Sequence, residues 1–151
     1  MNDMKIEEFC DRHRACLEGR KWAIENFESM RDAWEKLAPE WLIWVATRSG
    51  VLTDRELRLF ACWSVRQVWH LLGGERSRNA VEVAERFALG TATNEELVVA
   101  WAGARDAARA SSLAAARAAA RAASLDAARA DQADWLRKNT TPDFRWCIST
   151  A

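Results

Sequence analysis

The stretch from residue 53 to residue 72 reads TDRELRLFACWSVRQVWHLL and decides the fold. Thr53 and Glu56 have the spacing of a capping box, in which each side chain accepts the other residue's backbone N–H at the start of a helix. The apolar residues that follow recur at helical spacing on most sides, a pattern that is typical of a central helix. The sequence therefore predicts a core helix over residues 54–72, with Phe60 among its buried side chains.

The chain downstream of this stretch continues in helices. A helix is predicted over residues 77–89, where Gly90 ends it. Thr93 and Glu96 then form another capping box, which opens the next helix. Alanine, the best helix former, supplies eighteen of the 34 residues from 100 to 133.

The alanine-rich helix is too long for a compact domain, because no strong helix breaker occurs before Pro142. From residue 94 to residue 138, one straight helix would measure about 67 Å. A compact chain of this length has a radius of gyration of about 15 Å. The segment is therefore predicted either to extend beyond the body of the protein or to fold back as an αα-hairpin. The candidate break points are Gly103, Ser111, Ser112 and Ser124.

Helices are also predicted upstream of residue 53. The pattern indicates a helix over residues 3–18 that Gly19 ends, and a short helix over residues 29–37 that Ser29 caps. A further helix is predicted over residues 40–48. Its WLIWVA run favours a helix over a strand, because the sequence offers no second strand for pairing.

The sequence as a whole predicts an all-α protein, a single-domain bundle of about six helices over residues 1–151. Phe144 and Trp146 are expected to pack the tail back onto the body. The predicted parts are Trp-rich N-terminal helices (1–52), core helices (53–90), an Ala/Arg-rich helix or hairpin (91–139) and a tail (140–151).

Composition excludes several classes of protein. The 22 basic and 22 acidic residues leave no net charge, whereas a general polyanion binder has a strongly basic surface. The N-terminal sequence MNDMKIEEF lacks the apolar core of a signal peptide. No apolar stretch reaches the roughly 18 residues that span a bilayer. The sequence therefore predicts a cytoplasmic protein without a membrane partner.

The residue types that carry chemistry are few. Cys10, His13 and Cys16 have the spacing of metal ligands, but on a helix the third would point about 120° away from the first. We therefore predict no metal, a buried Cys10, a core-facing His13 and a half-exposed Cys16. The other imidazole, His70, is expected to be an interior residue, and the six glycines form no phosphate-binding loop. The sequence thus predicts no cofactor, no catalytic residue and no enzyme activity.

Arginine recurs at every fourth position in much of the Ala-rich segment, from Arg105 to Arg137. A period of four drifts about 40° per step on a 3.6-residue helix, so the row winds around a straight helix. Between Ala107 and Leu125 these arginines have no acidic neighbour in the sequence. Arginine and tryptophan are the residue types favoured at binding hot spots. The predicted partner-binding residues are Arg105, Arg109, Arg117, Arg121, Arg129, Trp101 and Trp135.

A large part of the chain resembles a known kind of protein. The stretches that carry the resemblance are LTDRELRLFACWSVRQVWHLL, ERSRNAVEVAERFALGTATNEEL, the Ala/Arg helix and the closing Gln-x-x-Trp-Leu-Arg. Over roughly residues 53–138 the chain resembles an uncharacterised Ala/Arg-rich helical module of bacterial and prophage-encoded proteins. Its layout is also similar to that of immunity proteins of bacterial toxin systems. The resemblance implies a small intracellular protein from a conflict between a cell and a toxin or phage, and no site residue carries over.

We therefore expect a non-enzymatic inhibitor of the immunity or phage anti-defence kind, for example anti-CRISPR-like. It would bind a protein, a toxin or a defence-system component, with fixed stoichiometry, and the same face can form a homodimer. The alternative is a helical pocket protein that sequesters a nucleotide-like ligand by Trp/Arg stacking. A second alternative is nucleic-acid binding through the Ala/Arg helix, which the flanking acids disfavour. These acids are Asp106, Asp126, Asp131 and Asp134.

Overall fold

The structure, a computed structural model, describes residues 3–72, 74–110 and 125–145. These ranges hold α-helices, a 3₁₀ turn at Trp69–Leu71 and one isolated bridge between Asp3 and Arg145, and within them no strand occurs. The all-α prediction is confirmed. None of the described helices combines the length and the apolar character needed to cross a membrane. The helices are α1 (Ile6–Arg12), α2 (Leu17–Asn26), α3 (Met30–Lys36), α4 (Pro39–Ala46), α5 (Asp54–Gln67), α6 (Glu75–Ala88), α7 (Asn94–Ala110) and α8 (Leu125–Asn139).

The predicted helix starts are confirmed at three caps. The Ser29 hydroxyl accepts a backbone N–H at the start of α3. At α5, the Glu56 carboxylate accepts the Thr53 N–H at 2.9 Å and the Thr53 hydroxyl accepts the Glu56 N–H at 3.2 Å. Thr93 and Glu96 form the same reciprocal pair at α7. These caps satisfy backbone N–H groups that a helix start leaves without a partner.

The prediction of one helix over residues 3–18 is wrong. α1 ends at Arg12, and Arg14 adopts a positive φ of 53° that an α-helix cannot contain. Cys16 then caps α2, and its thiol accepts the Gly19 N–H at 3.3 Å. The break turns the chain, so that α1 and α2 pack against each other.

Gly19 lies inside the first turn of α2, and its expected role as a helix stop is wrong. A Cβ at this position would lie 2.8 Å from Cη2 of Trp41 and 2.9 Å from Cζ3. Glycine is therefore required here by the close approach of an indole ring, and not by the backbone conformation. This packing contact could not be read from the sequence, because Trp41 comes 22 residues later.

The remaining predictions about helix type and helix ends are met in part. α4 is a helix and not a strand, as predicted. Gly90, with a positive φ of 77°, follows the end of α6, also as predicted. Gly103 lies within α7, so the expectation of a helix break there is wrong. Ser111, Ser112 and Ser124 lie outside the described residues, and so does the decision between one long helix and a hairpin.

The chain divides into two compact units. Unit 1 comprises residues 1–52 and 133–151, and unit 2 comprises residues 53–132. The boundary falls within α8, which contributes its N-terminal half to unit 2 and its C-terminal half to unit 1. The single domain expected from the sequence stays a prediction.

The core of unit 1 is built around Phe144. This side chain is 1% exposed, and its ring lies 6.0 Å from each of the rings of Phe9 and Trp34. Leu42 and Leu136 are also fully buried. The expectation that the tail packs back is confirmed for Phe144, while Trp146 lies outside the described residues.

The core of unit 2 consists of small side chains. α6 packs against α5 on one side and against α7 on the other. Alanine permits such close approach of helix axes. The buried residues of this cluster are Cys62, Ala80, Val83, Ala84, Leu97 and Ala100.

The prediction of α5 as the core helix is wrong. Cys62 is the one buried residue of α5, and Phe60 is only half-buried. The helix also ends at Gln67, five residues before the predicted end, and a 3₁₀ turn follows. Most of the other apolar residues of α5 are also half-buried.

We expect the two phenylalanines to differ in their contribution to stability. Phe144→Ala should lower the free energy of unfolding by about 3–5 kcal/mol, the usual cost of removing a fully buried ring. Phe60→Ala should cost roughly half as much, because the ring is half-buried. Denaturant unfolding of both variants measures the difference, and equal losses would contradict this account of the cores.

Replacing two helical glycines by alanine should have opposite effects. Gly19→Ala should destabilise the protein by about 1–3 kcal/mol, because the new methyl group would overlap the Trp41 ring. Gly103→Ala is the matched control, since nothing lies within 4 Å of a Cβ there. It should stabilise the protein by up to about 1 kcal/mol through helix propensity. Thermal melts decide, and a stabilised Gly19→Ala variant would refute the close packing.

Candidate functional site

α7 leaves three large apolar side chains exposed. Leu97 and Ala100 point into the core of unit 2 and are 5% exposed. Val98, Val99 and Trp101 are 58%, 72% and 50% exposed, and we call these three residues the α7 patch. Exposed apolar residues that lie next to each other on one element mark surfaces for interaction more often than isolated ones do.

A guanidinium group lies against the edge of this patch. The Arg58 side chain, from α5, lies with Cζ 4.9 Å from the centroid of the Phe87 ring and 5.9 Å from that of the Trp101 ring. Both distances are within the range of cation–π attraction. Arg58 thus holds Trp101 near the α5–α6 side of the patch and places a positive charge beside it.

The predicted arginines of the Ala-rich segment have different positions. Arg105 and Arg109 belong to α7, seven and eleven residues after Val98. Their side chains lie outside the described part, as do Arg117 and Arg121 altogether. The structure therefore joins Trp101 to the α7 patch and leaves the contribution of these four arginines a prediction.

The remaining two predicted residues lie in α8. Arg129 is half-buried in unit 2, and Trp135 is half-buried in unit 1. Both already make contacts within the protein. They are placed less favourably for a partner than the α7 patch, whose three side chains are at least half exposed.

Arg137 continues the arginine row but has a structural role. Its Nε donates to the Trp34 carbonyl at 3.0 Å, and its Nη2 donates to the Leu37 carbonyl at 2.6 Å. Carbonyl groups at the end of a helix have no partner within the helix, and here the guanidinium supplies one. Arg137 therefore fixes the end of α3 to α8 within unit 1.

Unit 1 contains an open apolar cavity of about 400 Å³, counting the part open to solvent. Three indole rings, from Trp22, Trp41 and Trp44, line it together with aliphatic side chains, and no charged side chain does. Arg48 stacks on Trp44 at 4.8 Å, outside the cavity lining. Because a nucleotide phosphate needs donors or positive charge, the cavity does not match the Trp/Arg stacking site expected from the sequence.

The two histidines have different surroundings. His13 lies on the Phe9 ring at 4.5 Å, and burial, followed by the charges of Arg12 and Arg48, lowers its pKa. The neutral imidazole is therefore favoured in the folded state, and its contribution to stability is lost as the pH falls through that lowered pKa. His70 is exposed, so the expectation of an interior residue is wrong; the 3₁₀ turn after Gln67 changes its direction.

Two of the cysteines are buried in the described part of the chain. Cys10 and Cys62 are buried, and burial raises the pKa of both thiols. Cys16 was expected to be half-exposed and is exposed. Among the described residues, no three His, Cys, Asp or Glu side chains gather where they could hold one metal ion.

Val98, Val99 and Arg58 are the residues that the sequence reasoning missed. A signal was present, since the buried Leu97 and Ala100 have the i, i+3 spacing of an inward stripe. Val98 and Val99 lie between these two residues in the sequence, so their side chains point away from the core. The contact of Arg58 depends on how α5 packs and had no signal in the sequence.

No protein-family profile, curated protein sequence or solved structure matches the chain. The resemblance to bacterial and prophage modules therefore stays an expectation from the sequence. The geometry of the exposed surfaces carries the functional argument.

Substituting Arg137 should affect the fold. Arg137→Ala is expected to lower the free energy of unfolding by about 1.5–3 kcal/mol, the range for hydrogen bonds from a charged group. Arg137→Lys should restore only part of this, because one ammonium cannot reproduce the planar pair of donors. Lys138→Ala, at the exposed neighbouring position, is the control and should cost about 0.5 kcal/mol or less. If urea unfolding gives Arg137→Ala the same free energy of unfolding as the wild type, the structural role of Arg137 is refuted.

Proposed function

We propose that the protein is a non-enzymatic inhibitor that binds another protein with fixed stoichiometry, in the manner of an immunity protein or a phage anti-defence protein. The observation that carries this proposal is the α7 patch with the Arg58 guanidinium beside it. The partner is a toxin or a defence-system component. The proposal places its docking surface on α7 and on the arginines that continue the same chain segment.

Covering the α7 patch would release free energy. Full burial of a valine or a larger apolar side chain contributes roughly 1.5–3 kcal/mol relative to its exposure in water. The three side chains of the patch are 50–72% exposed, so a partner can gain a large part of this from each. Tryptophan and arginine are also the residues that most often dominate binding energy.

The charges next to the patch indicate what the partner surface contains. From Asn94 to Leu125 the chain has four arginines and three acidic residues, Glu95, Glu96 and Asp106, a difference of +1. The positive charge that the structure places beside the patch is the guanidinium of Arg58. A complementary surface has an apolar centre with a carboxylate that faces Arg58, since opposite potentials favour association.

A nucleotide-sequestering function has less support. The cavity of unit 1 has the tryptophans that stacking needs, but its lining has no cation. In unit 2 the Trp69 ring already contacts arginines of the same chain, since Arg66 lies 4.6 Å from it and Arg78 lies 5.8 Å from it. The arginine substitutions described below distinguish nucleic-acid binding through the Ala/Arg segment from binding of a protein partner.

Charge placed on the α7 patch should weaken binding. The wild-type chain and a Val99→Glu variant serve as baits in bacteria that carry toxin or defence systems, and each captured protein is then purified. Val99→Glu should weaken binding at least about tenfold, because a carboxylate would be buried without a partner. Leu17→Glu is the matched control: Leu17 is 85% exposed but lies in unit 1, so its affinity should stay at the wild-type value. Wild-type affinity of Val99→Glu for a stoichiometric partner would exclude the patch.

Arginine substitutions in the same assay identify the class of partner. Arg105→Ala should weaken binding of a protein partner by about 1–2 kcal/mol. Arg105→Lys should rescue it poorly, since lysine lacks the planar fork of donors. Full rescue by lysine together with a steep loss of affinity at higher salt would instead indicate nucleic acid.

A further inference from the structure

Val98 lies at the middle of a short row of exposed residues on α7. Glu95 comes three residues before it and Trp101 three residues after it, and residues at this spacing are neighbours on a helix surface. All three side chains are exposed, that of Val98 to 58% and that of Trp101 to 50%. The three residues, which we call the α7 row, therefore have an apolar centre, an acidic end and an aromatic end.

The two ends of the α7 row have opposite charges. Glu95 supplies a carboxylate in the first turn of α7. At the other end, Cζ of Arg58 lies 5.9 Å from the centroid of the Trp101 ring. Within residues 3–72, 74–110 and 125–145, neither charged side chain forms a hydrogen bond or an ion pair. Each charge is therefore available to a group of opposite charge on another molecule.

A second copy of the chain is complementary to the α7 row. In a contact about a two-fold axis, each residue faces the residue of the other copy that lies equally far beyond the axis. With the two α7 helices antiparallel and the axis at Val98, this valine faces its own equivalent and Glu95 faces Trp101 of the second copy. The guanidinium of Arg58 beside that tryptophan then meets the Glu95 carboxylate. Symmetry forms the ion pair twice, so the second copy matches both the apolar centre and the two charges.

We propose that the free protein forms an antiparallel homodimer through α7, in which the Glu95 carboxylate of each copy pairs with the Arg58 guanidinium of the other. Burial of Val98 and Trp101 drives the association, and the ion pairs set its register. An interface centred on one helix of each copy is smaller than the roughly 1,200 Å² that stable complexes bury in total, so the dimer exchanges with monomer.

The dimer concerns the same surface as the proposed inhibitor function but does not rest on it. All the residues that take part belong to unit 2. Self-association is measured on the pure protein, whereas inhibitor binding is measured on a captured partner, so either can fail without the other. A partner that covers the α7 patch would compete with the second copy, and dimer dissociation would then precede partner binding.

Charge reversal tests the dimer on the pure, full-length protein. Sedimentation velocity over a range of concentrations should show wild-type monomers and dimers in exchange. Glu95→Arg and Arg58→Glu should each weaken the dimer at least about tenfold, because each reversal brings like charges together at two symmetric positions. Glu18→Arg is the matched control, since Glu18 is also an exposed acidic residue in the first turn of a helix, α2. This control should leave the dimerisation constant unchanged.

Mixing the two charge-reversal variants distinguishes this pairing from any other mode of association. In an equimolar mixture, the Glu95→Arg copy and the Arg58→Glu copy have opposite charges at both pairs, so the dimer should form again with about the wild-type affinity. Thermal melts confirm that both variants fold. Val98→Glu, which places two carboxylates at the axis, replaces Arg58→Glu if loss of the ring contacts unfolds that variant, and it should also weaken the dimer at least about tenfold. A wild-type chain that stays monomeric at about 1 mM, a dimer that Glu95→Arg leaves intact, or folded charge-reversal variants that stay monomeric when mixed would overturn the proposal.

Discussion

Unit 1 depends on the burial of Phe144 between Phe9 and Trp34. This ring comes from the C-terminal segment and lies among N-terminal helices more than 100 residues away in sequence. The adjacent backbone fixes the arrangement, since the Asp143 N–H donates to the Val51 carbonyl at 2.8 Å. Because protein cores are close-packed, a ring of this size leaves little freedom in the position of the elements around it. Trp34, which packs against this ring, also supplies one of the two carbonyls that Arg137 binds.

Arginine has several physical roles in this protein, although its positions look alike in the sequence. Arg137 donates to helix-end carbonyls, Arg58 lies on aromatic rings, and Arg145 forms a bidentate pair with a carboxylate. The guanidinium can do all three because it is planar, permanently charged and rich in donors. Its role at each position follows from which neighbour the packing supplies, so a periodic row of arginines is weak support for one shared function.

The two units present different surfaces to a partner. The described core of unit 2 consists of three alanines, Val83, Leu97 and Cys62, while apolar side chains such as Val99 stay exposed. Unit 1 buries Phe9, Trp34 and Phe144 and has cavities beside its aromatic residues.

The sequence by itself determined the all-α class, the caps at Ser29, Thr53 and Thr93, and the return of the tail through Phe144. These features depend on local hydrogen bonds and on apolar spacing, which neighbouring residues specify. It did not determine the break after α1, the half-buried position of Phe60, or the exposure of His70. Only the tertiary structure decided these, because burial depends on which face a distant helix covers. The same reason explains Gly19. The indole ring of Trp41 lies so close to this position that a side chain would not fit.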